Sequence, residues 1–191
     1  MNSSVKVSQS EKILNAAFKC ISTKGYANVS LRDIANEAGV VLSQLNYYYK
    51  NKEGLFTEVI KVMGKKYLLE FEQCLKGGES TKEKISVFIE FSRDLIKNKS
   101  ELLRLLYDFI SLALWLPSSK KLLRDLLKDL SAIIENNIIE DVYFDDLIKK
   151  YNINSLARLI LGTLLGTSLQ VILEPDDDNI LESLNIIQGV I

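Results

Sequence analysis

Proline stands at only two positions of this chain, 117 and 175, and apolar residues recur along almost all of it at intervals of three and four. That spacing lays an apolar stripe on a helix of 3.6 residues per turn. No segment keeps the period of two that a half-buried strand requires. An all-α fold is therefore expected, and the turn residues divide it into elements.

Ser8 with Glu11 forms a capping-box pattern that opens a helix over 8–24, where Ile13, Ala17 and Ile21 share a face and Gly25 marks the end. Ser30 with Asp33 opens a short helix carrying Leu31, Ile34 and Ala35. Ala38-Gly39-Val40 reads as a tight turn, and a second short helix covers about 41–48. A long helix runs from about 51 to 74, with Phe56, Ile60, Met63, Tyr67 and Phe71 along one stripe, until Gly77-Gly78 breaks it. Ser80 with Glu83 caps the next, which bears Ile85, Phe88, Ile89 and Ile96. Residues 100–116 are apolar almost all round, the pattern of a buried central helix. Pro117 ends that run, and Ser118 or Ser119 caps a helix whose stripe is Leu123, Leu126, Leu127, Leu130, Ile133, Ile134 and Ile138. Residues 141–151 read as a short helix and a loop, and two helices follow, about 153–173 and 177–189.

Composition removes several classes of function. The 191 residues include no histidine, which excludes a Ser-His-Asp triad, a Cys-His pair and a His-ligated zinc. Cys20 and Cys74 give neither zinc-ligand spacing nor a disulfide framework and read as packing residues. No nucleophile–base pairing and no phosphate-cradling glycine loop is visible, so an enzyme is not expected, and no metal or cofactor is implied. The first ten residues lack the basic and apolar regions of a secretory signal. The longest uncharged stretch, between Arg158 and Glu174, is 15 residues, short of the ~20 of a bilayer span. A cytoplasmic protein without a membrane partner is the expectation.

Charge is spread unevenly. Residues 1–66 carry ten Lys/Arg and five Asp/Glu, net +5, whereas residues 67–191 carry fourteen and twenty, net −6. Phosphate attracts the first part and is repelled by the second. Two short helices joined by a glycine turn behind a longer one is also the layout of a helix-turn-helix. One short helix braces on the DNA backbone while the next enters the major groove. Ser43-Gln44 would face base edges, and Asn46, Tyr47 and Tyr48 would reach phosphates. Lys52 stands where the free N–H groups of the following helix favour an anion. The same spacing also fits an ordinary three-helix substructure with a polar surface.

The stretch from Lys12 to Leu55, K-I-L-N-A-A-F … G-Y-A-N-V-S-L-R-D-I-A-N-E-A-G-V … L-N-Y-Y-Y-K-N-K-E-G-L, resembles the N-terminal DNA-binding domain of TetR-type (TetR/AcrR) transcriptional repressors. Ile13-Leu14 and Ala16-Ala17 match the first helix of that family and Gly25 its break. Asp33-Ile34-Ala35 with Ala38-Gly39-Val40 match its helix-turn segment, and Leu45, Tyr49, Lys52 and Leu55 the end of its recognition helix and the start of its fourth. The resemblance implies DNA contacts from Arg32, Ser43, Gln44, Tyr47, Tyr48 and Lys52, to which the position of Asn46 on the second short helix adds that residue, with Tyr49 a core aromatic. It also implies a helix-turn-helix domain over 1–50 and a helical effector-binding and dimerisation domain over 51–191, with 51–74 connecting them. Val41, Leu42 and Asn46 depart from the family pattern, and Val41 leaves the recognition helix without a side-chain cap.

A helix-turn-helix of this size makes few contacts, so a dimer reading two half-sites is expected. The resemblance puts the two-fold interface on the last two helices, where Leu156, Ile160, Thr163, Thr167, Val171, Leu184 and Ile187 offer a face and Gly162 and Gly166 allow close approach. Plain intramolecular packing is the other reading of the same residues. Phe88, Phe91, Tyr107, Phe109 and Trp115 supply the apolar surface that an effector pocket needs, or simply core. Glu90 and Asp108 are carboxylates that could face a cationic group there. The expected function is a dimeric, ligand-responsive regulator, released from an inverted-repeat operator by a small apolar or amphipathic effector. The alternative is a helical binding module for small molecules or proteins whose N-terminal part no longer reads DNA.

Overall fold

The computed structural model describes residues 8–139 and 152–190, with side chains except at 81, 82, 139 and 187–190. The segment expected as a short helix and loop over 141–151 lies outside the described residues. Among the described residues there are nine α-helices and no strand: α1 Gln9–Lys24, α2 Leu31–Ala38, α3 Leu42–Tyr48, α4 Lys52–Leu75, α5 Thr81–Asn98, α6 Ser100–Trp115, α7 Pro117–Ile134, α8 Ile153–Leu173 and α9 Asn179–Val190. A π-helical turn, Glu135–Ile139, continues α7.

Contacts gather the chain into two compact units. The first takes in residues up to Gly64 together with Arg104–Lys121; the second takes in Lys65–Leu103 and the residues from Leu122 onward.

In the first unit both expected capping boxes form. The N–H of Glu11 donates to Ser8 Oγ while that of Ser8 donates to Glu11 Oε2, and Ser30 with Asp33 repeats the arrangement on α2. The bonds from Ser8 hold the Glu11 carboxyl below its usual pKa, and those from Ser30 do the same for Asp33. α1 ends at Gly25 (φ 81°) and α2 at Gly39 in the left-handed region (φ 66°, ψ 35°), where the N–H of Val40 closes on Ala35 O. Ile13, Ala17, Ile21, Ile34, Leu45, Leu55, Phe56 and Val59 bury their side chains as this unit's core. Each large side chain fully buried contributes about 1.5–3 kcal/mol. α6 joins that core through Leu105, Phe109 and Ala113, and Phe109 meets Phe56 edge to face at 5.6 Å.

Two expectations about this region are corrected. α6 is not buried all round, because Leu114 and Trp115 at its end are 73% and 83% exposed. Pro117 does not merely end the run: it is the first residue of α7, where its missing N–H costs nothing and its fixed φ suits the helix, so Ser118 and Ser119 lie within α7 and do not cap it.

In the second unit Phe71 of α4 packs on Phe88 and Phe91 of α5 at 5.9 and 5.2 Å, with Ile85, Ile89 and Ile96 buried beside them. α9 lies against α5 and α8. Arg93 on α5 donates to Leu181 O and Asn185 Oδ1, and Thr167 on α8 shares a hydrogen bond with Ser183 at 3.1 Å.

Candidate nucleic-acid interface

α3 is a seven-residue helix, about 10 Å long. Its inward side is set by Leu45, fully buried, and by the following Tyr49, whose phenol shares a 2.9 Å hydrogen bond with Ser10 of α1. With that side anchored, Ser43, Asn46 and Tyr47 share the opposite face at i, i+3, i+4 and are exposed, Tyr47 at 85%. Tyr48 is exposed and stacks edge-on against Tyr47 at 5.4 Å, whereas Gln44 is half-buried. The exposed row of a hydroxyl, an amide and a phenol, on a helix narrow enough for a ~12 Å groove, can donate and accept toward base edges and phosphates. Arg32, at the second position of α2, is also exposed.

Val41 sits at the N-cap of α3 with extended backbone (φ −77°, ψ 147°) and no side-chain bond, as its chemistry requires. By contrast α4 is capped: Asn51 Oδ1 accepts the N–H of Gly54 at 2.7 Å.

Lys52, the first residue of α4, is half-buried, with its ammonium 4.2 Å from the centre of the Tyr26 ring. Burial draws its pKa below the usual lysine value, while the charges of Asp108 and Asp33 act in the opposite direction. The Tyr26 ring stacks on Phe56 (4.7 Å, 22° between planes), and burial, with the charge of Glu53, raises its phenol. The backbone N–H of Tyr26 donates to Asp108 Oδ2 at 2.7 Å. Asp108, expected as a carboxylate for a cationic ligand, is thus bonded to the α1–α2 connection, and Glu90 is exposed. Tyr26 had no assigned part in the sequence reading. Its position directly after the helix-ending Gly25 was a local signal, whereas its bond to a residue 82 positions away was not.

The five aromatics expected around an effector are divided between the two compact units. Phe88 and Phe91 belong to the second unit, whereas Tyr107, Phe109 and Trp115 belong to the first. Phe109 is core against Phe56, and Trp115 is too exposed to line a closed cavity. The residues expected on the dimer face divide by their burial within the chain. Ile160, Thr167 and Leu184 are buried within their own chain, and Leu156, Thr163 and Val171 are half-buried. Ile187 lies outside the residues whose side chains are described. The free side of α8 instead carries Leu159, Gly162, Gly166, Leu169 and Leu173, all exposed, at intervals of 3, 4, 3 and 4. Of the cysteines, Cys20 is buried as expected and Cys74 is exposed.

Residues 13–59 match the family of bacterial regulatory proteins described as the tetR family. The chain is 28% identical over 105 residues to a probable HTH-type transcriptional regulator, YttP, of Bacillus subtilis (54% of this chain, 51% of that protein). It is 24% identical over 157 residues to the fatty acid metabolism regulator protein of the same organism (80% and 78%). The chain thus spans about half the length of the first of these relatives. Among solved structures it shares its fold with a transcriptional regulator from Rhodococcus (TM-score 0.81, 20% identity, 96% of each chain). It shares it also with FadR of Bacillus subtilis in complex with stearoyl-CoA (TM-score 0.77, 20% identity, 94% and 95%).

Proposed function

This chain belongs, by its N-terminal domain, to the tetR family of bacterial regulatory proteins, a family of regulators and not of enzymes, and from that premise we propose that it is a cytoplasmic, dimeric, ligand-responsive transcriptional regulator. Residues 1–50 bind DNA, and residues 51–191 bind the effector and form the dimer, with 51–74 connecting the two functions. The observation that carries this reading is the exposed polar face of α3, held outward by the buried Leu45 and Tyr49. Ser43 addresses base edges from it, with the half-buried Gln44 beside it, while Arg32, Asn46, Tyr47, Tyr48 and Lys52 address phosphates.

For the effector, the relative named for fatty acid metabolism and the neighbour that holds stearoyl-CoA support an amphipathic acyl compound. Its apolar part would meet the α4–α5 aromatics Phe71, Phe88 and Phe91. The effector acts as a releasing signal if it prefers the state in which the two recognition helices do not match the operator. For the dimer, α8 supplies the face. Leu159, Leu169 and Leu173 follow a heptad spacing, and Gly162 and Gly166 between them have open space where a side chain would stand, so a second helix can approach closely. α8 is long and apolar enough to cross a membrane, with 28% of its most apolar window buried. The heptad row accounts for its exposed apolar residues as a protein–protein surface.

Alanine at Lys52 or Tyr48 tests the DNA reading. Each variant weakens duplex binding with an unchanged thermal melt, and Lys52→Ala lowers the slope of log affinity against log salt by about 1. Unchanged affinity and slope in both would count against it.

A further inference from the structure

Asp108 lies on α6, far along the chain from every residue assigned to DNA, yet its carboxylate is tied into the same cluster. Its Oδ2 accepts the N–H of Tyr26 at 2.7 Å, and no other donor to that carboxylate is seen among the described residues. The bond pins the connection between α1 and α2 where Gly25 has turned the chain into a conformation that few residues adopt. Pinned there, Tyr26 stacks its ring on Phe56, and the Lys52 ammonium lies over the Tyr26 ring, 4.2 Å from its centre. A ring face attracts a cation without forming a conventional hydrogen bond to it, so Lys52 is oriented while the N–H groups turned away from the ring stay available. The edge contact of Phe56 with Phe109, the residue after Asp108, completes the cluster. All of these groups lie in the first compact unit.

We propose that Asp108 is a positioning residue for DNA binding: by accepting the Tyr26 N–H it sets the ring that orients the phosphate-binding Lys52, without touching DNA itself. The proposal rests on the DNA-binding reading above. It assigns to α6 a direct hold on the helix-turn-helix, through one hydrogen bond and one ring.

The sign of the effect makes the test decisive, because a carboxylate near DNA should repel phosphate. The probe is the duplex that the unaltered protein retains from a random pool. Asp108→Ala is expected to weaken binding about tenfold. Asp108→Asn, which keeps an acceptor oxygen for the Tyr26 N–H, should stay within about threefold of the parent. In a Lys52→Ala background Asp108→Ala should add almost nothing, as residues acting through one another are not additive. Tighter binding by Asp108→Ala would overturn the proposal, since the carboxylate would then be only a repulsive charge. So would an equal loss in the Lys52→Ala background, or an equal loss in the Asn variant. The local arrangement is read without DNA from hydrogen exchange at the Tyr26 amide. It should be slow in the parent and fast in Asp108→Ala, and equal rates would overturn the proposal. A parent protein that retains no duplex refutes the DNA-binding reading instead, and the two failures are thereby distinguished.

Discussion

Two glycines show how single residues shape the first unit. Gly39 takes a left-handed conformation that other residues enter at a cost of roughly 1–2 kcal/mol, whereas Gly25, at φ 81° and ψ 149°, stands beside a region that is almost exclusively glycine's. A methyl at Gly25 would meet Asn28 and Asp108 only at 3.8 Å, ordinary contact, and one at Gly39 would meet nothing, so backbone strain decides both cases. Gly39→Ala is expected to destabilise by about 1 kcal/mol and Gly25→Ala by more, about 2–3 kcal/mol, measured by denaturant unfolding. Both turns were legible in the sequence, because a glycine after a helical run is a local signal. The Tyr26–Asp108 bond was not, since its partners stand 82 residues apart and neither advertises the other.

At the scale of elements, α1, α2 and α5 begin where their caps put them, whereas α7 begins at Pro117, ahead of the serines expected to cap it. The capping boxes of α1 and α2 and the buried row Ile85, Phe88, Ile89 and Ile96 of α5 are where the spacing put them. α3 carries no such support at its start. Val41 already has N-cap geometry and is 66% exposed, so Val41→Ser adds an acceptor with no loss of packing. The variant should gain about 1 kcal/mol of stability and raise the melting temperature, without a change in fold. A drop would mean that Val41 packs against something outside this chain. On α8 periodicity alone does not choose the inward side, because that helix is apolar on most of its sides. Its stripes at 156, 160, 163, 167 and at 159, 162, 166, 169 are equally plausible on paper, and only the packing of α9, with the Thr167–Ser183 bond, decides which one turns inward.

For the molecule as a whole, the proposed function needs a DNA-reading face and a dimerising one. Placing glutamate at both Leu159 and Leu169 puts charges into the exposed row of α8 without entering the chain's own core. Sedimentation should then show a monomer of unchanged helix content, and affinity for a duplex with two half-sites should fall to that for one. A dimer that survives both charges would place the interface elsewhere. The most direct test of the central claim is selection of random duplexes by the purified protein at near-physiological salt, followed by sequencing of what is retained. The account predicts an inverted repeat with half-sites about one helical turn, ~34–36 Å, apart. A folded, dimeric protein that enriches no sequence would contradict it and leave a helical binding module as the better description.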